Sequence, residues 1–165
     1  MLKVLCGTAL VSTAMIIAEP AAMAATATGN MTVTITIQAQ CLVQTAGTLN
    51  FGTNGVITSN IDQTSTIGIQ CTSGATYNVG LSAGAGAGAT TAVRVMTGPG
   101  AATINYGLYR DSARSQSWGV TIGTDTETGT GNGSVQNYTV YGRVPPQTTP
   151  AAGTYTDTVA ITVTY

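Results

Sequence analysis

Apolar and polar residues alternate one by one in several separate stretches of this chain, the period of a strand with one face buried. The most regular is "MTVTITIQAQC", residues 31–41. Met31, Val33, Ile35, Ile37, Ala39 and Cys41 fall on one face, and Thr32, Thr34, Thr36, Gln38 and Gln40 on the other. "STIGIQC" alternates Ile67, Ile69 and Cys71; "TYNVGLS" alternates Tyr77, Val79 and Leu81; "TINYGLY" alternates Ile104, Tyr106 and Leu108. "AVRVM" reads as a brief strand and "SVQNYTVYGRV" as a longer one, while "TLNFGTNG" offers a short apolar patch with Leu49 and Phe51 on one face. "TYTDTVAITVTY" closes the chain with Tyr155, Asp157, Val159, Ile161, Val163 and Tyr165 on one side. "AGAGAGATT", "GTDTETGTGNG" and "PPQTTPAAG" read as loops, and "SWGV" places the only tryptophan, Trp118, near a corner. Many short alternating segments separated by turn signals predict an all-β, two-sheet sandwich.

Two features sit awkwardly with a self-contained sandwich. The opening strand follows a small, flexible leader, "ATATGN", and is oily along one whole face without the charge or proline that usually blunts an edge. The given chain also stops on its closing strand, at Tyr165.

Ahead of these strands, "MLKVLCGTALVSTAMIIAEPAAMA" has Lys3 as a positive start, an apolar run from Val4 to Ala18, and the small-x-small triplet Ala22-Met23-Ala24. This predicts a secretory signal peptide, 1–24, cut after Ala24. A retained anchor is the alternative, disfavoured because the run falls short of the ~20 apolar residues of a spanning helix. A lipoprotein reading through Cys6 is weaker still.

Export changes how the cysteines are read. Cys41 and Cys71 remain as an even pair in an oxidising compartment, which predicts a disulfide; two free buried thiols are the alternative. Beyond residue 24 there is no Lys and no His, and the charges are Arg94, Arg110, Arg114, Arg143, Asp62, Asp111, Asp125, Glu127 and Asp157. Nothing in that set attracts a nucleic-acid backbone. Thr is abundant and suits neutral, solvent-facing strand positions.

Candidate chemistry is sparse, and no enzymatic activity, metal or cofactor is expected. General acid–base work near neutral pH most often uses His, which is missing. Asp125 and Glu127 stand two apart in a Gly/Thr loop, but the further oxygen ligands of a Ca²⁺ loop are lacking, and a solvated loop is expected. Ser112 and Ser115 lie beside Arg110 and Asp111 with no base to activate them, so a local ion pair at a strand end is expected there. Asp157 is expected to face a loop at the start of the closing strand rather than the core.

"INYGLYRDSARSQSWG" followed by "VYGRVPPQTTPAAGTYTDTVAITVTY" resembles the spore coat protein U-like domain, the pilin domain of archaic chaperone–usher pili. Cys41, the "LNFG" after it and Cys71 fit the same likeness, which covers residues 25–165. The resemblance implies an incomplete immunoglobulin-like β-sandwich that lacks its last strand, with an N-terminal donor strand. A periplasmic pilus chaperone would fill the gap first, then the N-terminal extension of the next pilin, with an outer-membrane usher assembling the fibre. The implied division is a donor-strand extension over 25–37, carrying Met31, Val33, Ile35 and Ile37, and a pilin domain over 38–165. The chaperone-facing C-terminal strand would carry Val159, Ile161, Val163 and Tyr165. The implied role is a structural pilin at a Gram-negative cell surface, polymerising head-to-tail with neighbouring pilin subunits and supporting adhesion and biofilm formation. A tip or minor adhesin and a self-contained secreted coat protein are the alternatives.

Overall fold

A computed structural model describes residues 23–165. The expected signal peptide therefore lies outside the described residues, apart from Met23 and Ala24. The chain divides into an N-terminal part, Met1–Ile35, and a domain, Thr36–Tyr165. The described residues of the first part contain no helix or strand and are exposed.

Within the domain the strands are β1 (Cys41–Ala46), β2 (Ile61–Cys71), β3 (Thr76–Leu81), β4 (Arg94–Thr97), β5 (Thr103–Tyr109), β6 (Glu127–Thr130), β7 (Val135–Val144) and β8 (Ile161–Thr164). All pair antiparallel. One sheet has the order β1-β2-β7-β5-β4 and the other β6-β3-β8. The alternating apolar faces do what their period requires. Ile67 and Ile69 of β2, Leu108 of β5, and Val140 and Val144 of β7 meet Tyr77, Val79 and Leu81 of β3 in one buried core. The domain is an all-β sandwich of two antiparallel sheets.

Trp118 is fully buried in that core rather than at a corner. Its indole N–H donates to Val79 O at 2.8 Å, and its ring meets Tyr138 edge-on at 6.4 Å. A buried tryptophan needs a partner for its one donor, and a strand carbonyl supplies it. Leu49 and Phe51 lie in a segment without strand pairing and pack onto Gly142 of β7, where a Cβ would collide with both.

Arg94 is buried completely. Its guanidinium donates to the carbonyls of Ser82 at 2.8 Å, Thr91 at 2.9 Å, Leu81 at 3.0 Å and Trp118 at 2.6 Å. Burial pulls its pKa below the usual arginine value. Four carbonyl partners keep the charge tolerable there, since a buried charge is costly unless hydrogen-bonded.

Several expectations need correction. The strand expected over 31–41 is absent up to Gln40, and strand pairing begins only at Cys41. A strand exists by virtue of a partner strand, and among the described residues 31–37 pair with none, while Gln38 and Gln40 bond only to Thr72. The loop read in "GTDTETGTGNG" contains β6, invisible to apolar patterning because its core-facing position is Gly129; the Tyr77 and Tyr138 side chains fill the space a Cβ would take. The closing strand is shorter than its alternation suggests, since only Ile161–Thr164 pair with β3. Arg110 and Asp111 do not pair with each other. Arg110 donates to the carbonyls of Thr126 and Thr124, while Asp111 accepts from Ser115 and Gln116. The backbone N–H of Gln116 is the largest influence holding the Asp111 carboxyl below the usual range. Asp125 turns inward to its own loop and accepts from Thr121 N–H.

Candidate docking edge

The two sheets end unevenly. β1 is an edge of the five-stranded sheet and β8 an edge of the three-stranded sheet, and the two strands approach each other along one side of the sandwich. Neither has a second partner among the described residues.

The backbone of β8 divides its hydrogen-bonding groups between β3 and the open side. Ser82 N–H donates to Ala160 O at 2.9 Å, whereas Leu81 N–H turns the other way and donates to Gly119 O at 2.9 Å. In an antiparallel ladder, bonding and non-bonding pairs alternate every residue. Thr162 and Thr164 therefore bond to β3, and the N–H and C=O of Ile161 and Val163 point out along the free edge. The side chains follow the same period. Val159, Ile161 and Val163 pack against the core and are only partly covered, while Thr162 and Thr164 face outward. One pair of residues, Ile161 and Val163, thus presents both half-covered apolar side chains and unpaired backbone groups at the same opening. Tyr165 lies just past the end of β8, 60% exposed.

The side of β1 carries apolar surface as well, with Leu42 and Val43 exposed. At its start, Cys41 and Cys71 are direct partners joined by a disulfide. Next to that bond, Thr72 holds the incoming backbone: its N–H donates to Gln40 O at 2.9 Å, and its hydroxyl accepts from Gln40 N–H at 3.1 Å and lies 3.2 Å from Gln38 O.

Upstream, the predicted donor residues are open to water: Met31 is 85% exposed, Val33 80%, Ile35 84% and Ile37 70%. From Ala25 to Ile61 the chain has no charged side chain. Of the two predicted apolar sets, the N-terminal one is bare and the one on β8 is half covered. Sequence reading missed the buried Arg94 and the role of Asp157. Asp157 is half-buried in phase with the core side and meets both the loop after β3 and the five-stranded sheet, accepting from Ala85 N–H at 2.7 Å and from Tyr106 Oη at 2.7 Å.

Among the described residues no group of acidic, His or Cys side chains is arranged to hold a metal ion. A small recess of about 70 Å³ on the outer face of the β6-β3-β8 sheet is lined by Asn78, Val120, Ile122, Thr126, Thr162 and Thr164 together with Gly80. It holds no group able to activate a nucleophile.

The Spore Coat Protein U domain model matches residues 27–162, nearly the whole of the described chain. The chain belongs to the Spore Coat Protein U family. It is 35% identical over 171 aligned residues to Protein U of Myxococcus xanthus, with 95% of each chain covered. It is also similar to a subunit in the crystal structure of the CsuC–CsuE chaperone–tip adhesion subunit pre-assembly complex, from the archaic chaperone–usher Csu pili of Acinetobacter baumannii. That match has a TM-score of 0.58 at 26% identity and covers 79% of this chain. The chain spans only 40% of that Csu chain.

Proposed function

We propose that this Spore Coat Protein U family member is a structural pilin of a chaperone–usher surface fibre, polymerised by donor-strand exchange. One observation carries the reading: an alternating apolar segment with no strand partner among the described residues coexists with a sandwich edge whose inward residues are only half covered. Residues 25–37 form the donor extension and 38–165 the pilin domain, a division supported by the hydrogen bonds that begin at Gln38. Val33, Ile35 and Ile37, with Met31, enter the opening beside β8 of a neighbouring subunit, in the manner of strand addition to an exposed edge. Before assembly, a periplasmic chaperone covers Val159, Ile161, Val163 and Tyr165, and an outer-membrane usher exchanges it for the next subunit. The Csu neighbour, taken from a chaperone–subunit complex, favours that partnership. A fibre of such subunits at a Gram-negative surface supports adhesion and biofilm formation, and the domain works by packing, not catalysis.

Magnitudes favour an assembly that does not come apart. Burying a Val, Ile or Met side chain is worth roughly 1.5–3 kcal/mol, so four such residues represent about 6–12 kcal/mol before ordering costs. That compares with the ~5–15 kcal/mol that holds a whole domain together.

The test is the double replacement Val33→Asp with Ile35→Asp, co-expressed with a pilus chaperone and usher. The variant is expected to fold on its chaperone with the Cys41–Cys71 bond intact and to form no fibres by electron microscopy. Normal fibres, or a variant that cannot fold at all, would overturn the donor assignment.

A further inference from the structure

The alternation in "TVAITVT", residues 158–164, does not by itself fix where the last strand sits. A one-residue slip along β3 would turn every side chain to the opposite face, and burial forbids it. A two-residue slip is different, because valine, isoleucine and valine replace one another on the inside while small residues stay outside. β8 has four paired residues and one open edge, so something outside the ladder must choose among the in-phase registers.

We infer that Asp157 sets the register of β8. It stands two residues before Val159, in the inward phase of the same alternation, where a carboxylate is out of place unless it is held. It is held by three donors, each at 2.7 Å: the Tyr106 hydroxyl on one oxygen, and the N–H groups of Ala85 and Thr158 on the other. Tyr106 belongs to the five-stranded sheet and Ala85 to the loop after β3, so the carboxylate is fixed from two directions. Gly84, at φ +89°, leaves the space beside it free of a Cβ. Just upstream, Thr156 exchanges both backbone hydrogen bonds with Thr97 of β4. The segment is therefore tied to one sheet and crosses to the other at Asp157. A two-residue slip would carry the carboxylate roughly 6–7 Å from the Tyr106 hydroxyl and the Ala85 N–H, at about 3.3 Å per residue, leaving it only the N–H of Thr158, which moves with it. One register satisfies both the alternation and the carboxylate. On the reading of β8 as the docking edge, that register decides which backbone groups and side-chain gaps an incoming strand meets, making Asp157 a positioning residue for assembly.

The register can be read by cross-linking in the exported full-length subunit, whether or not it polymerises. Asn78 and Thr164 are direct partners on the outer face; Asn78 and Thr162 would become partners after a two-residue slip. Asn78→Cys with Thr164→Cys, and separately Asn78→Cys with Thr162→Cys, are treated with a short thiol–thiol cross-linker. With Asp157 present, only the first pair should link efficiently. Adding Asp157→Ala should raise linking of the second pair by about tenfold or more, the change expected from losing one hydrogen bond to a charged group. Tyr106→Phe keeps the buried ring, removes one donor, and is measured alongside; slipped product there supports the lock if Asp157→Ala does not accumulate. Native-register product alone, in whichever variants accumulate, overturns the inference. Loss of fibres with the register unchanged would bear on the assembly reading and not on the lock.

Discussion

Cys41 and Cys71 face each other as direct partners across β1 and β2, with Cα atoms 4.1 Å apart and their sulfurs bonded. The bond closes a loop of sequence separation 30 and pins the edge strand β1 at the point where the N-terminal segment enters the domain. In the chain-entropy model such a loop is worth roughly 3–4 kcal/mol. Cys41→Ser with Cys71→Ser is expected to lose about that much in denaturant unfolding. Mass spectrometry of unreduced, exported protein should find the two peptides linked, and free thiols at both positions would refute the pairing.

Arg94 gathers four backbone carbonyls from three separate segments without any carboxylate in direct contact. Arg94→Ala would leave these carbonyls unpaired inside the protein and open a cavity, with an expected loss of about 3–5 kcal/mol. Arg94→Lys retains the charge but cannot reproduce a planar fork of donors, and should recover only part of that loss. Thermal unfolding of the two variants side by side checks the order. Equal stability of wild type and Arg94→Lys would show that charge, not donor geometry, matters at this position.

Much of the sandwich was legible because its core-facing residues alternate with polar ones, as in "STIGIQC", "TYNVGLS" and "TINYGLY". Three elements broke that rule for separate physical reasons. β6 presents Gly129 to the core because tyrosine rings from β3 and β7 already fill the space, so no apolar letter marks it. Residues 31–40 carry the strongest strand pattern and no strand, since pairing depends on a partner and pattern only on the sequence. Asp157 keeps the inward phase of the last segment while being charged, and only the positions of Tyr106 and Ala85, 51 and 72 residues away, explain how it is accommodated. The candidate edge was legible as two apolar stripes, but its backbone half was not. Which of the β8 amides face outward depends on the bonding phase with β3, and no side chain records that phase.

Asp62 and Arg143 are direct partners across β2 and β7 and form two hydrogen bonds of 2.7 Å, with Arg114 adding a contact at 3.4 Å. The Arg143 hydrogen bond holds the Asp62 carboxyl below its ordinary value. A depressed carboxylate pKa adds stability that is complete above the unfolded-state value, ~3.9, and fades as the pH falls through the folded-state value. Asp62→Asn is therefore expected to cost stability at pH 7 and progressively less below about pH 4, where the wild-type carboxyl also becomes neutral. The pair is partly solvated, so the effect should stay near or below ~1 kcal/mol. Denaturant unfolding across pH checks both features; a gap between the two proteins that stays constant down to pH 2 would contradict them.

The backbone phase of β8 yields a sharper contrast. Proline removes an N–H, which a strand tolerates only where that group faces away from its ladder. Val163 has its N–H on the free edge, so Val163→Pro should leave the bonds to β3 in place. It loses some packing, and about 1–2 kcal/mol of stability is expected to go with it. Thr162 bonds to β3, so Thr162→Pro should cost about 3 kcal/mol or more and release the strand. Polymerisation should separate the variants differently from stability. A folded Val163→Pro subunit with its disulfide formed should fail to enter fibres, because it offers an incoming strand one donor fewer and a proline ring at the edge. Unfolding curves and electron microscopy of fibres would be read together. If Val163→Pro assembled as well as wild type, the free side of β8 would not be where the donor strand pairs.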